Sequence, residues 1–299
     1  MGGYGECAQG VVGAGGVVLD VRDRPGPPPL RFECAPGGRL LLRQGERPVL
    51  LGREEEGGCS REGLFVHRLA GYRSPLPPPR SARQRRPGNW VHQYARWLEE
   101  APQDGPLHEG RWHLGERHRF PTYVWWGDFL RDWPGGHLDW CRGGWEGVVP
   151  LRPLSPEDDP RVKAYRKHAR EGTLAPVLLW WVTLLDGWVI LDGHDRAVAS
   201  LAEGRTPPCV VLTRLPDEED WRRTADEVTQ GHERSMEQLA ARPADADAER
   251  QRDTLVRAYG DVMSSLPYEE APTPSWPLPG GAPAWDALAR AAMFQFRSD

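Results

Sequence analysis

The sequence predicts an α+β protein. Three observations lead to that class. Short Val- and Leu-rich runs, each bounded by Gly or Pro, recur roughly every ten residues through the first seventy residues. A central segment alternates apolar runs with helical patterns, and the last third carries long stretches with apolar residues at helical spacing. At 299 residues the chain is long enough to bury a sizeable core and to hold more than one domain.

Residues 1–73 read as a β-rich N-terminal domain. Its strands are GVVLDVRD, LRFECAP, GRLLLRQG, RPVLLGRE and GLFVHRL, a pattern that suits an antiparallel meander or a small barrel-like sheet. Residues 74–88, SPLPPPRSARQRRPG, form a Pro/Arg-rich linker of extended backbone, with Arg80, Arg83, Arg85 and Arg86 in solvent. Residues 89–145 are a Trp-rich helical and irregular segment. Asn89 stands as an N-cap, and Trp90, Val91, Tyr94, Trp97 and Leu98 follow at helical spacing. His113, His118, His137, Asp128, Asp132 and Asp139 crowd into this segment. It has no HExxH and no His pair that one helix would fix, so no metal centre is expected. Of 14 tryptophans, 11 fall between Trp90 and Trp188; we read them as core filling in a chain poor in Ile, Phe and Met.

Residues 146–215 carry the clearest order. GVVPLRPL is a short strand that stops at a proline. SPEDDPRVKAYRKHAREG follows as a helix, with Ser155 as candidate N-cap, Pro156 at the first helical position and acids in the first turn. Pro160 moves the regular helix toward Asp159, and Gly172 ends it. LAPVLLWWVTLLDGWVIL reads as a hairpin turning at Asp186-Gly187. DGHDRAVASLAEG is a turn and a helix, and PPCVVLTRL a last strand. Residues 216–299 form a helical C-terminal extension. Acids prevail in it over residues 217–253, with amphipathic segments at Trp221–Leu239 and Ala246–Met263 and a final helix in AWDALARAAMFQF.

Charge and cysteine usage exclude several classes. A net charge of −5 does not suit a chain that coats nucleic acid by bulk electrostatics, and no helix-turn-helix with a basic recognition helix is visible. The five cysteines, Cys7, Cys34, Cys59, Cys141 and Cys209, are widely spaced without a CxxC pair. A disulfide framework or structural zinc is not expected, and a cytoplasmic location is. The N-terminal stretch lacks a signal-peptide pattern, and no apolar run is long enough for a membrane span.

The turn Asp192-Gly193-His194-Asp195-Arg196 is the candidate site. A helix N-terminus offers unpaired N–H groups and a partial positive charge. Gly193 lets the backbone turn sharply and approach a ligand. A phosphate there would meet the amides of His194 to Arg196, the imidazole and the guanidinium. The alternative is a cap, with Asp192 or Asp195 satisfying those amides.

With Pro153, Arg161, Gly172 and Pro176 upstream of this turn, residues 148–214 resemble the ParB/sulfiredoxin superfamily. The resemblance covers under a quarter of the chain, and Asp195 departs from it where relatives carry His or Arg. It implies a ParB/sulfiredoxin-like α/β domain. It also implies a nucleotide- or phosphate-handling pocket formed by Asp192, Gly193, His194, Asp195, Arg196 and Arg161. Binding of Mg²⁺ with ATP, ADP or CTP is implied, as is nucleotide-dependent phosphotransfer or nucleotide hydrolysis. In that case Glu157 or Asp158 takes a proton or holds Mg²⁺, and His194 joins the catalytic set. No cysteine follows Gly193, so the reductase chemistry of sulfiredoxin is not expected. Two other readings stand beside this one. One is a non-catalytic interaction protein on a degenerate scaffold, meeting a protein partner through the C-terminal helices. The other is nucleic-acid binding or nuclease activity.

Overall fold

The structure is a computed structural model, and it describes residues 7–12, 16–57, 61–78, 88–117, 120, 122–125, 135–139, 147–242 and 246–296. Most of the Pro/Arg-rich segment, with Arg80, Arg83, Arg85 and Arg86, lies outside the described residues, as do His118, Asp128 and Asp132. The chain divides into two compact units. One comprises residues 1–213 and 272–299, the other residues 214–271.

Two sheets build the first unit. One holds six strands in the order β13-β3-β4-β5-β6-β8: Ser275–Pro277, Leu30–Ala35, Arg39–Gln44, Arg47–Gly57, Arg61–Arg68 and Gly135–Asp139. All its pairs are antiparallel except β13 with β3. The other holds seven in the order β1-β2-β7-β12-β10-β11-β9: Cys7–Val12, Gly16–Val21, Gly110–Arg117, Cys209–Arg214, Val177–Val182, Gly187–Asp192 and Val148–Pro150. Four of the five strands read in residues 1–73 meander as their alternation predicts. The fifth, β2, pairs with β1 and β7 and so joins the sheet of the central segment.

The described residues hold six α-helices. α1 (Trp90–Glu100) is capped by Asn89, whose Oδ1 accepts from the His92 amide at 3.1 Å. α2 (Pro160–Glu171) and α3 (His194–Ala202) pack together through Val162, Val198 and Ala199. α4 (Glu218–Ala240) and α5 (Ala246–Ser265) form most of the second unit. α6 (Gly281–Phe296) returns to the first unit, where Trp285 packs with Leu41 and Leu51 and donates to the Leu40 carbonyl at 2.8 Å.

The main core holds residues of both sheets, including Phe32, Leu50, Trp112, Leu114, Trp180 and Leu191. Tryptophans fill the interior as the composition suggests: Trp112 and Trp180 are buried in this core, and Trp125, Trp181 and Trp188 in a second apolar cluster with Phe120 and Ile190. Two differences from the sequence reading have plain causes. GRWHLGER, inside the segment read as helical and irregular, is strand β7, and its buried Trp112 and Leu114 alternate with half-buried Arg111 and His113. α2 is capped by Asp159 rather than Ser155. The Asp159 Oδ1 accepts from the Arg161 amide at 2.7 Å, and Pro160 rather than Pro156 opens the helix, where its missing N–H costs nothing. Gly172 ends α2 in the left-handed conformation at φ 69°.

Candidate anion site at the start of helix α3

β9 runs parallel to β11, with Pro150 opposite Ile190. Their C-terminal ends therefore leave the sheet side by side, and the residues just beyond them meet. That places Leu151 and Arg152 beside Leu191, Asp192 and the start of α3. Ligands of open α/β sheets gather at such carboxyl ends.

Gly193 makes the turn with φ 96° and ψ 25°. Only glycine is at ease there, and space gives a second reason. A Cβ on Gly193 would lie 2.6 Å from Arg196 Nη2, 2.8 Å from Nε and 3.0 Å from Cζ. The Arg196 guanidinium thus lies directly against the turn, with the residue 1% exposed. Its Nη2 donates to Asp192 Oδ2 at 2.6 Å, while its Nε is buried without a partner. Burial works against the charge, but the Asp192 carboxylate bound to it keeps the guanidinium firmly protonated. The Tyr94 hydroxyl donates to the Pro176 carbonyl at 2.5 Å.

No side chain caps α3. Its first internal bond runs from the Ala197 amide to the Gly193 carbonyl at 2.9 Å. The preceding amides, of His194, Asp195 and Arg196, belong to the turn that an α-helix cannot satisfy internally.

His194 is 1% exposed. Its Nε2 accepts from the Leu151 amide at 3.1 Å, so the ring ties β9 to the helix start as a neutral acceptor. Burial, with Arg152, Arg68 and Arg196 nearby, holds the imidazole well below its usual pKa. Asp195 is also buried. Its Oδ2 accepts from Arg152 Nη2 at 3.1 Å and faces Arg161 Nη1 at 3.6 Å, and its Oδ1 accepts from Ser155 Oγ at 3.0 Å. Arg68 Nη1 donates to the Arg152 carbonyl at 3.0 Å, and burial lowers the Arg68 pKa to about 10. Three guanidinium groups therefore meet the two carboxylates at this turn, Arg196 on Asp192 and Arg152 with Arg161 on Asp195, while Arg68 stands behind them on the Arg152 carbonyl.

The structure brings together Asp192, Gly193, His194, Asp195, Arg196 and Arg161. Glu157 and Asp158 lie in the turn before α2, and Asp158 is exposed. Sequence reasoning missed Arg152 and Arg68, and it gave Ser155 a capping role in place of its bond to Asp195. Arg152 was within reach of inference: it follows a strand that ends at a proline, and a parallel neighbour of β11 had to deliver it to the same edge.

The carboxylates do not suit Mg²⁺. Asp192 Oδ1 and Oδ2 accept from Ser74 and Arg196, and the Asp195 oxygens accept from Ser155 and Arg152. Among the described residues no three His, Cys, Asp or Glu side chains gather as a metal-ligand group. Among them also no helix is long and apolar enough to cross a membrane. Compared with known proteins, the chain matches no family profile, no curated protein and no solved structure.

Proposed function

We propose that the protein binds the phosphate of a nucleotide or another phosphorylated small molecule at the start of α3. One observation carries this reading: an uncapped helix N-terminus with three arginines around it, in a chain of net charge −5. The helix supplies amides and a partial positive charge. Arg152 and Arg161, with side chains 38% and 67% exposed, supply cations that reach the ligand from solvent. Buried Arg196 acts from below, fixing Asp192 and the glycine turn. The order β9-α2-β10-β11-α3-β12 is the order of elements that underlies the resemblance to the ParB/sulfiredoxin superfamily, and it supports the same reading. Any Mg²⁺ would arrive on the phosphates of the nucleotide, since the carboxylates here are engaged.

A second reading is favoured by Asp195. Its carboxylate already collects Ser155, Arg152 and Arg161, as a bound anion would. A pocket closed in this way serves a scaffold that binds protein rather than phosphate. Titration of inorganic phosphate, ATP, ADP and CTP into the wild type and Asp195→Asn separates the two. The first reading expects saturable binding by the wild type, weakened by Arg152→Ala. Binding seen only with Asp195→Asn establishes the second, and binding by neither refutes the first.

A further inference from the structure

The α3 turn has one neighbour that the phosphate-binding reading does not use. Ser74 Oγ donates to Asp192 Oδ1 at 2.6 Å, on the carboxylate whose other oxygen accepts from Arg196, also at 2.6 Å. The two residues are far apart in sequence, and Ser74 is exposed. An exposed serine ordinarily samples several rotamers, yet this one and the backbone leading to it are fixed by hydrogen bonds. The Gln44 side chain is buried, and it grips the Arg73 backbone from both ends. It accepts from the Arg73 amide at 3.0 Å and donates to the Arg73 carbonyl at 2.8 Å. The Tyr72 hydroxyl donates to the Leu191 carbonyl at 2.7 Å, immediately before Asp192. The Leu76 amide donates back to Ser74 Oγ at 3.1 Å.

The result is a solvent-facing hydroxyl with its proton on a carboxylate, beside a guanidinium and an uncapped helix start. Those are the parts that an acceptor hydroxyl needs: a nucleophile, a proton acceptor within hydrogen-bond reach, and fixed positive charge where an anionic group would sit.

We propose that Ser74 is a phosphoryl acceptor of this pocket, taking the terminal phosphoryl group of a bound nucleoside triphosphate. The inference rests on the phosphate-binding reading above. Ser74 Oγ attacks the terminal phosphorus, and its proton passes to Asp192 Oδ1. The new O–P bond forms as the bond from that phosphorus to the leaving nucleoside diphosphate breaks. The diphosphate carries away the electron pair, and no electron is gained or lost overall. The arginines and the helix start take up the charge that spreads over the transferred group. Once made, phosphoserine stands against Asp192, two anions in the place of one hydrogen bond. It competes with Asp192 for Arg196, so the modified chain binds a second triphosphate more weakly.

The test uses the full chain with ATP, with and without Mg²⁺. Intact mass and peptide mapping follow the modification, and calorimetry follows nucleotide binding in parallel. The expected result is the mass gain of one phosphoryl group located on Ser74, absent in Ser74→Ala and retained on the same residue in Ser74→Thr. Asp192→Asn should lower the labelling rate at least about tenfold, the usual minimum for losing a positioned base being larger still. If Asp192→Asn fails to fold, as its melting curve would show, the Ser74→Thr and Ser74→Ala pair decides. ATP binding without modification of Ser74, or labelling mapped elsewhere, overturns the acceptor role and leaves the phosphate-binding reading intact. Absence of binding by any nucleotide or by phosphate overturns both.

Discussion

Replacing Gly193 by alanine tests the construction of the turn most sharply. Two costs are expected. At φ 96° an alanine pays the left-handed penalty of about 1–2 kcal/mol. Its Cβ would also stand 2.6–3.0 Å from three atoms of the Arg196 guanidinium. The end of an arginine ordinarily moves aside cheaply, but this side chain is 2% exposed and bound to Asp192 at 2.6 Å. Moving it separates a buried ion pair, which costs about 3–5 kcal/mol when complete. Asp192 keeps the Ser74 hydroxyl and some solvent, so part of that loss is recovered. The expected total is about 3–5 kcal/mol. Urea unfolding followed by tryptophan fluorescence measures it, because every tryptophan except Trp221 belongs to the first unit. The decisive comparison is a double-mutant cycle with Arg196→Ala. Without the guanidinium, adding alanine at 193 should cost only the backbone share of about 1–2 kcal/mol. An equal cost of Gly193→Ala in both backgrounds would refute the argument that the guanidinium fills the space a side chain needs.

Three further predictions follow from the same contacts. Asp195→Asn should release Arg152 and Arg161 and tighten phosphate binding by about 1 kcal/mol, roughly fivefold, more strongly at low salt; unchanged affinity in calorimetry would mean these arginines never reach the ligand. His194 is held neutral with its pKa well below 6.5, so its stability contribution is complete above pH 6.5 and is lost as pH falls below it. His67 and His113 are lowered in the same direction, so the slope of unfolding free energy between pH 6.5 and more acid values should shrink, not vanish, in His194→Gln, which keeps an acceptor for the Leu151 amide. Tyr94→Phe removes the donor to the Pro176 carbonyl in a fully buried place and should cost about 1–3 kcal/mol in urea unfolding, with less than half a kcal/mol indicating that water replaces it.

Much of the architecture was legible because local rules and tertiary packing agree. The DG turn before β11, Asn89 ahead of α1 and the glycine after α2 all do what their chemistry prescribes. The errors arose where the pattern was local and the decision was not. Trp112 and Leu114 alternate as strand residues should, yet only their pairing with Val17 and Leu19 across from β2 fixes β7 as a sheet strand. Likewise the composition suggests a boundary near residue 74, but β2 and β7 carry the central sheet across it. The residues 216–299 divide as well: those up to 271 form the second unit, and the rest return to β3 and β4.

At the candidate site the sequence indicated the turn but not its wiring. Asp192 and Asp195 look interchangeable as caps, and in the structure neither caps α3. One holds Arg196 and Ser74, the other Ser155, Arg152 and Arg161. Such choices depend on which strands run parallel, and pattern alone does not say. The His/Asp crowd of residues 113–139 is an instance of the reverse, a suggestive cluster in sequence of which only His113 has a described side chain. Burial lowers its pKa, and its ring stands against the backbone of Gly16.

The second unit leaves and rejoins the chain at one place. The Ala271 amide donates to the Arg214 carbonyl at 2.9 Å, and just beyond it Thr273 and Thr183 exchange backbone and hydroxyl bonds at 2.7 and 3.0 Å. The two ends of the helical hairpin are therefore within a single peptide hydrogen bond of each other. A loop of a few residues would suffice to span from Arg214 to Ala271, so the length of the helices between them is set by the hairpin's own packing and not by any distance the chain has to cover.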